Sequence, residues 1–133
     1  KFKILDQPIT YELANNISFL GVRKDIDIIL SNSDVLLMPS IYEGFPVILV
    51  ESQASGTPAL ISNGIAKEVD LGLNLVSFCK LNEPKEKWFD ELNKLISRPK
   101  TDSKTRLAIL RKKGFDIDVS VKLVEQIYQN QKN

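Results

Sequence analysis

Apolar residues along this chain come either in short unbroken runs or in spaced stripes, and the two kinds alternate. The runs predict strands. "ISFLG" (17–21) is short, rich in β-formers and stopped by Gly21, and "DVLLMPS" (34–40) ends at Pro39. "TPALISNG" (57–64) and "LNLVSFCK" (73–80) are further buried-strand runs. The stripes predict helices. "KDIDIILSNS" (24–33) carries Ile26, Ile29 and Leu30 at helical spacing, with acids placed early. Over 85–96, Trp88, Phe89, Leu92, Leu95 and Ile96 form one apolar stripe expected to face the core. Two more helices are expected near 104–113 and 119–129, the second with Val121, Val124 and Tyr128 on one face. Strands alternating with helices imply a parallel sheet covered on both sides. The fold class is therefore α/β: a Rossmann-like, doubly wound sheet of about four strands with carboxy-terminal helices.

One stretch divides the reading. "VLLMPSIYEGFPVILVES" (35–52) fits a hairpin, two apolar runs joined around Gly44, and Val47, Ile48 and Val50 are β-branched. Against this, Pro46 would remove a ladder donor early in the second strand, whereas proline suits the first turn of a helix. "ESQASG" continues with helix formers and a natural stop at Gly56. On propensity the helix leads by a small margin.

A helix here would begin just after a strand, at the carboxyl edge of the sheet, where open α/β folds bind ligands. Its first turn would expose unpaired N–H groups suited to phosphate, and Gly44 would allow close backbone approach. Glu51 would then lie roughly 7–8 Å along the helix from a phosphate at its tip, at about 1.5 Å per residue. That reach matches a carboxylate accepting from a ribose, while Glu43 in the preceding loop reaches past the phosphates on the other side. Two acids beside one diphosphate repel it unless each binds a hydroxyl, and a nucleotide-sugar carries hydroxyls at both ends.

Composition narrows the chemistry. The 133 residues suit one domain, and the net charge of +1 provides no basic face for nucleic acid. No apolar stretch approaches membrane-spanning length, and "KFKILDQPIT" lacks a signal-peptide core. The single Cys79 suits a reducing, cytoplasmic setting. The absence of histidine removes Ser-His and Cys-His pairs and His-based metal sites from this chain.

At this point residues 19–69, "FLGVRKDIDIILSNSDVLLMPSIYEGFPVILVESQASGTPALISNGIAKEV", resemble the donor-binding domain of retaining glycosyltransferases of family 4, which have the GT-B fold. The signature is Glu43, seven residues, then Glu51, opened by "EGFP" and closed by "SGTP". The likeness spans roughly residues 17–96, and "GFDIDVSVKLVEQIYQ" resembles the family's closing helix. "ISNGIAKEVDL" looks closest to members that build bacterial capsules and exopolysaccharides.

The resemblance implies roles. Glu51 matches the glutamate that holds the nucleotide ribose, and Glu43 the catalytic-site glutamate that contacts the transferred sugar. The amides of Gly44, Phe45, Val47 and Ile48 match the cradle around sugar and diphosphate, and Gly21 and Val22 fall where the base is lined. It implies no metal and no separate cofactor. The expected partners are a nucleotide-sugar donor and a glycan or lipid-linked acceptor. Residues 1–133 then read as one partial nucleotide-sugar-binding domain, with 97–104 as a linker to the terminal helices. The family's Arg/Lys pair and its amino-terminal acceptor domain lie upstream of the residues present, so this stretch alone is expected to bind donor weakly and to transfer nothing.

Blander readings stand beside these. Lys67 and Glu68 are expected to be solvated loop charges, Trp88 and Phe89 core rather than sugar platforms, and Cys79 inert. The basic residues Arg98, Lys100, Lys104, Arg106, Arg111, Lys112 and Lys113 read first as solvated surface, with peripheral membrane association at the inner face as the minority reading. The rival class is a non-catalytic nucleotide-binding or regulatory α/β domain. It would need a phosphate-accepting Asp at a strand's carboxyl end, whereas Asp34 begins its strand.

Overall fold

The computed structural model describes residues 15–130. The opening "KFKILDQPIT" lies outside the described residues. In chain order the elements are α1 (Ile26–Ser31), β1 (Leu36–Met38), α2 (Val47–Ser55), β2 (Ala59–Ser62), a 3₁₀ turn (Lys67–Val69), β3 (Val76–Cys79), α3 (Lys85–Ile96), α4 (Ser103–Lys112) and α5 (Ile117–Asn130). The strands form one parallel sheet in the order β1-β2-β3, with Leu37 opposite Leu60 and Leu60 opposite Ser77.

Alternation along β2 explains why every residue of that strand is buried. Ala59 and Ile61 pack with Leu49 of α2, and with Ile65, Val69 and Val76, on one face of the sheet. Leu60 turns to the other face, where Cys79, Leu95, Trp88 and Leu92 meet it from β3 and α3. A third cluster joins Val50 of α2 to Leu71, Leu73, Leu75 and Leu110, so α4 docks against α2 rather than against the sheet. The fold is thus the α/β, doubly wound arrangement that the alternation of runs and stripes indicates.

Two expectations fail. Residues 17–21 are not a strand: they run as coil, with Phe19 71% and Leu20 55% exposed. A strand needs a ladder partner and a covered face, and among the described residues this segment has neither to offset the entropy of extending it. The sheet among the described residues therefore has three strands rather than about four. Phe89 is not core either, being 64% exposed. The inward arc of α3 is taken by Trp88, Leu92 and Leu95, and Phe89 falls to its side. There it lines an open groove of about 450 Å³ with Leu37, Pro39, Leu81 and Trp88.

Segment 47–55 is the helix, not the second arm of a hairpin. Pro46 stands at its N-cap with extended backbone (φ −71°, ψ 115°), one position before the first helical residue. Gly56 ends it at φ 81°, a left-handed conformation that glycine adopts without a β-carbon penalty. The Gly56 and Thr57 amides donate to Gln53 and Ser52, the paired bonds of a Schellman stop.

Candidate functional site

Because all three strands run the same way, the loops after Met38, Ser62 and Cys79 gather at one edge of the sheet. Residues 39–46 form the first of these loops and lead directly into α2. Asp34 precedes β1 and so lies at the opposite edge.

The 39–46 loop is fastened to the loop after β2. Ser62 Oγ donates to the Ser40 carbonyl, and Glu43 forms an isolated parallel bridge with Ile65. Gly64 passes so close to the Ile41 carbonyl that a β-carbon could not fit between them. Glu43 is consequently half-buried in a backbone-tethered loop, while Gly44 beside it is exposed with open space where a β-carbon would be. Phe45 stacks on Phe115, with ring centroids 5.9 Å apart and planes 9° from parallel.

Helix α2 turns Leu49, Val50, Ser52 and Gln53 inward. Successive residues step about 100° around a helix, which sets Glu51 with Val47 on the opposite, exposed face. No side chain caps the helix start, and the Leu49 amide is the one that reaches back to the Pro46 carbonyl. The amides of Val47 and Ile48 are therefore first-turn donors without intrahelical partners. The structure brings together Glu43, Gly44, Phe45, Val47, Ile48 and Glu51 in one strand–loop–helix unit. Gly21 and Val22 are exposed in the coil before α1, not at a strand end, because 17–21 does not pair.

Behind this unit, Gln53 is fully buried and fully bonded. Its Nε2 donates to the Leu49 and Val69 carbonyls, both at 2.8 Å, and its Oε1 accepts from the Leu71 amide at 3.0 Å. Arg106 of α4 closes the far end of α2. It donates to the Ala54 carbonyl at 3.1 Å, where the helix's last carbonyls favour a cation. In sequence Arg106 reads as solvated charge, since its place in a basic run carries no mark of a cap 52 residues away. Arg98 likewise bonds Ser77 Oγ at 2.9 Å, and Arg111 pairs with Asp116 at 2.8 Å. Lys67 and Glu68 are exposed, as expected of loop charges.

Among the described residues, no three His, Cys, Asp or Glu side chains are grouped so as to hold a metal ion. No helix among them is long and apolar enough to cross a membrane. Cys79 is buried, and desolvation, reinforced by Glu83 and Glu91, pushes its thiol pKa up.

Comparison with known proteins bears on this unit. The profile of the family described as "Glycosyl transferases group 1" matches residues 2–109. The chain is 40% identical over 119 residues to a Bacillus subtilis (strain 168) protein named "Putative glycosyltransferase EpsF", covering 87% of this chain and 30% of that protein. It is 43% identical over 51 residues to the Escherichia coli "UDP-Gal:alpha-D-GlcNAc-diphosphoundecaprenol alpha-1,3-galactosyltransferase", 38% of this chain and 13% of the relative. A Campylobacter jejuni "N,N'-diacetylbacillosaminyl-diphospho-undecaprenol alpha-1,3-N-acetylgalactosaminyltransferase" is 40% identical over 47 residues, 35% of this chain and 12% of the relative. The chain thus spans less than a third of the length of these relatives. No solved structure gives a significant match.

Proposed function

The chain belongs to the group 1 glycosyl transferases, and from that premise we propose that it is the donor-binding part of a retaining enzyme. The enzyme would move a hexosyl group from a nucleotide-sugar to a glycan or lipid-linked acceptor in bacterial polysaccharide synthesis. The observation that carries the reading is the join of β1, the Glu43 loop and α2 at the carboxyl edge of a parallel sheet. It sets a tethered acid, an open glycine and an uncapped helix start next to one another.

In this reading Glu51 accepts hydrogen bonds from the ribose hydroxyls, and Glu43 from the hydroxyls of the sugar being transferred. The amides of Val47 and Ile48, at the positive end of α2, face the diphosphate and stabilise the charge that grows on it as the glycosidic bond breaks. Gly44 and Phe45 complete the cradle with their backbone. Gly21 and Val22, in the coil before α1, line the base. No metal is assigned a role, and an Arg/Lys pair from elsewhere in the enzyme would neutralise the diphosphate. The names of two relatives specify acceptors on diphosphoundecaprenol, which supports a lipid-linked acceptor here and peripheral contact with the cytoplasmic membrane face. The opposite-edge position of Asp34 weighs against a phosphate-accepting regulatory domain.

Titration with UDP-galactose and with GDP-mannose, comparing the native chain with Glu51→Ala, tests the reading. Loss of a carboxylate that accepts from ribose costs about 1–3 kcal/mol of binding. Equal affinity for the two proteins would remove Glu51 from the site.

A further inference from the structure

We propose that Phe115, from the corner between α4 and α5, is a positioning residue for the candidate donor loop, holding Phe45 and through it the Gly44–Phe45 backbone. The proposal rests on reading that loop as the donor site. Phe115 lies beyond residues 2–109, the part that the family profile matches.

The two rings meet nearly parallel, at a separation typical of offset stacking, although they stand 70 positions apart in sequence. They differ in how firmly each is held. Gly114 adopts φ 82° and ends α4 with a second Schellman stop: its amide donates to the Arg111 carbonyl and the Phe115 amide to the Leu110 carbonyl. Immediately afterwards Asp116 opens α5, accepting from the Asp118 amide and pairing with Arg111, while Ser120 Oγ donates back to the Gly114 carbonyl. Phe115 is therefore gripped on both sides by closed hydrogen-bond motifs.

Phe45 has no such local frame. Exposed Gly44 precedes it, and the uncapped N-terminus of α2 follows. The tethers at Ser40, Ile41 and Glu43 restrain the upstream half of the loop only. Helix α4 delivers the missing restraint by lying along α2 in the opposite direction. Arg106 bonds carbonyls at the end of α2, Leu110 packs on Val50 near its middle, and Phe115 reaches Phe45 ahead of its start. Removing the ring should leave the buried clusters standing while freeing the two amides that would face sugar and diphosphate.

The test compares the native chain with Phe115→Leu, Phe115→Tyr and Glu51→Ala. Affinities for UDP-galactose, GDP-mannose and the matching monophosphates UMP and GMP are read by NMR titration, with ¹⁵N order parameters at Gly44 and Phe45. Expected for Phe115→Leu is a three- to tenfold loss for the nucleotide-sugar that binds, little change for its monophosphate, and lower order at both amides. Phe115→Tyr, which keeps the stack, should restore all three. If Phe115→Leu leaves donor affinity and amide order unchanged while Glu51→Ala weakens binding, the positioning role fails and the donor site stands. Equal losses for nucleotide-sugar and monophosphate would reduce Phe115 to a general structural part. If Glu51→Ala has no effect, or neither nucleotide-sugar binds, the donor-site reading falls and this proposal with it.

Discussion

Gly64 and Ile41 are packed so tightly that a β-carbon on Gly64 would stand 2.1 Å from the Ile41 carbonyl oxygen. The atom in the way is backbone, so relief cannot come from a side-chain rotation. Two loops of the sheet's carboxyl edge are in this sense cut to each other, and Glu43 rides on one of them.

Gly64→Ala should therefore push residues 40–43 outward and break the Glu43–Ile65 bridge. We expect a stability loss of about 1–3 kcal/mol, the usual range for forced overpacking. Chemical denaturation gives the stability, and amide shifts at Ile41, Tyr42 and Glu43 report the displacement. Native-like shifts at those three residues would show that the contact is not a constraint.

Gln53→Leu keeps the volume but strips the Leu71 amide and the Val69 carbonyl of their partner in a fully buried place. Stranded buried groups of this kind cost about 1–3 kcal/mol. Urea unfolding should show the loss, and hydrogen exchange should accelerate first at Leu71.

The carboxylates of Asp102 and Asp116 should make the terminal helices sensitive to acid. Hydrogen bonds from Thr105 hold the Asp102 pKa below its ordinary value, and the Arg111 guanidinium does the same for Asp116. A carboxyl with a depressed folded-state pKa lends stability above its unfolded value of about 3.9, and that stability is lost as pH falls through the lower folded value. Protection of α4 and α5 amides should thus decline below about pH 4 before that of β2. In the Asp116→Asn protein the decline at α5 should be smaller.

Cys79 should resist thiol reagents in the folded protein. Its raised pKa comes chiefly from burial, so the thiolate is scarce and the sulfur is covered. Labelling at pH 8 should proceed at the rate of unfolding and rise to that of a free thiol in denaturant. Rapid labelling under native conditions would contradict the packing of Cys79 against Leu60 and Leu95.

What could be read from the chain was what depends on neighbours in sequence. Spacing of apolar residues locates α3 at 85–96, and Pro46 with Gly56 brackets α2, because proline, glycine and helical periodicity act within a few residues. The Glu43–Glu51 spacing, with its flanks, likewise carries the family likeness within one short stretch of sequence.

What failed or went unseen depends on partners far along the chain. "ISFLG" has the composition of a strand, but composition cannot supply the neighbouring strand that would pair with it. Phe89 and Leu92 look alike in a stripe, and only the packing of α3 over Leu60 and Cys79 decides which is covered. Arg106 looks like surface charge until α4 lies beside the carbonyls of Ala54 and Ser55. Local pattern thus determined the elements and the residues of the candidate site. Tertiary docking alone decided what holds that site still, because Gly64 against Ile41 and Phe115 against Phe45 are contacts between segments with no short-range signal linking them.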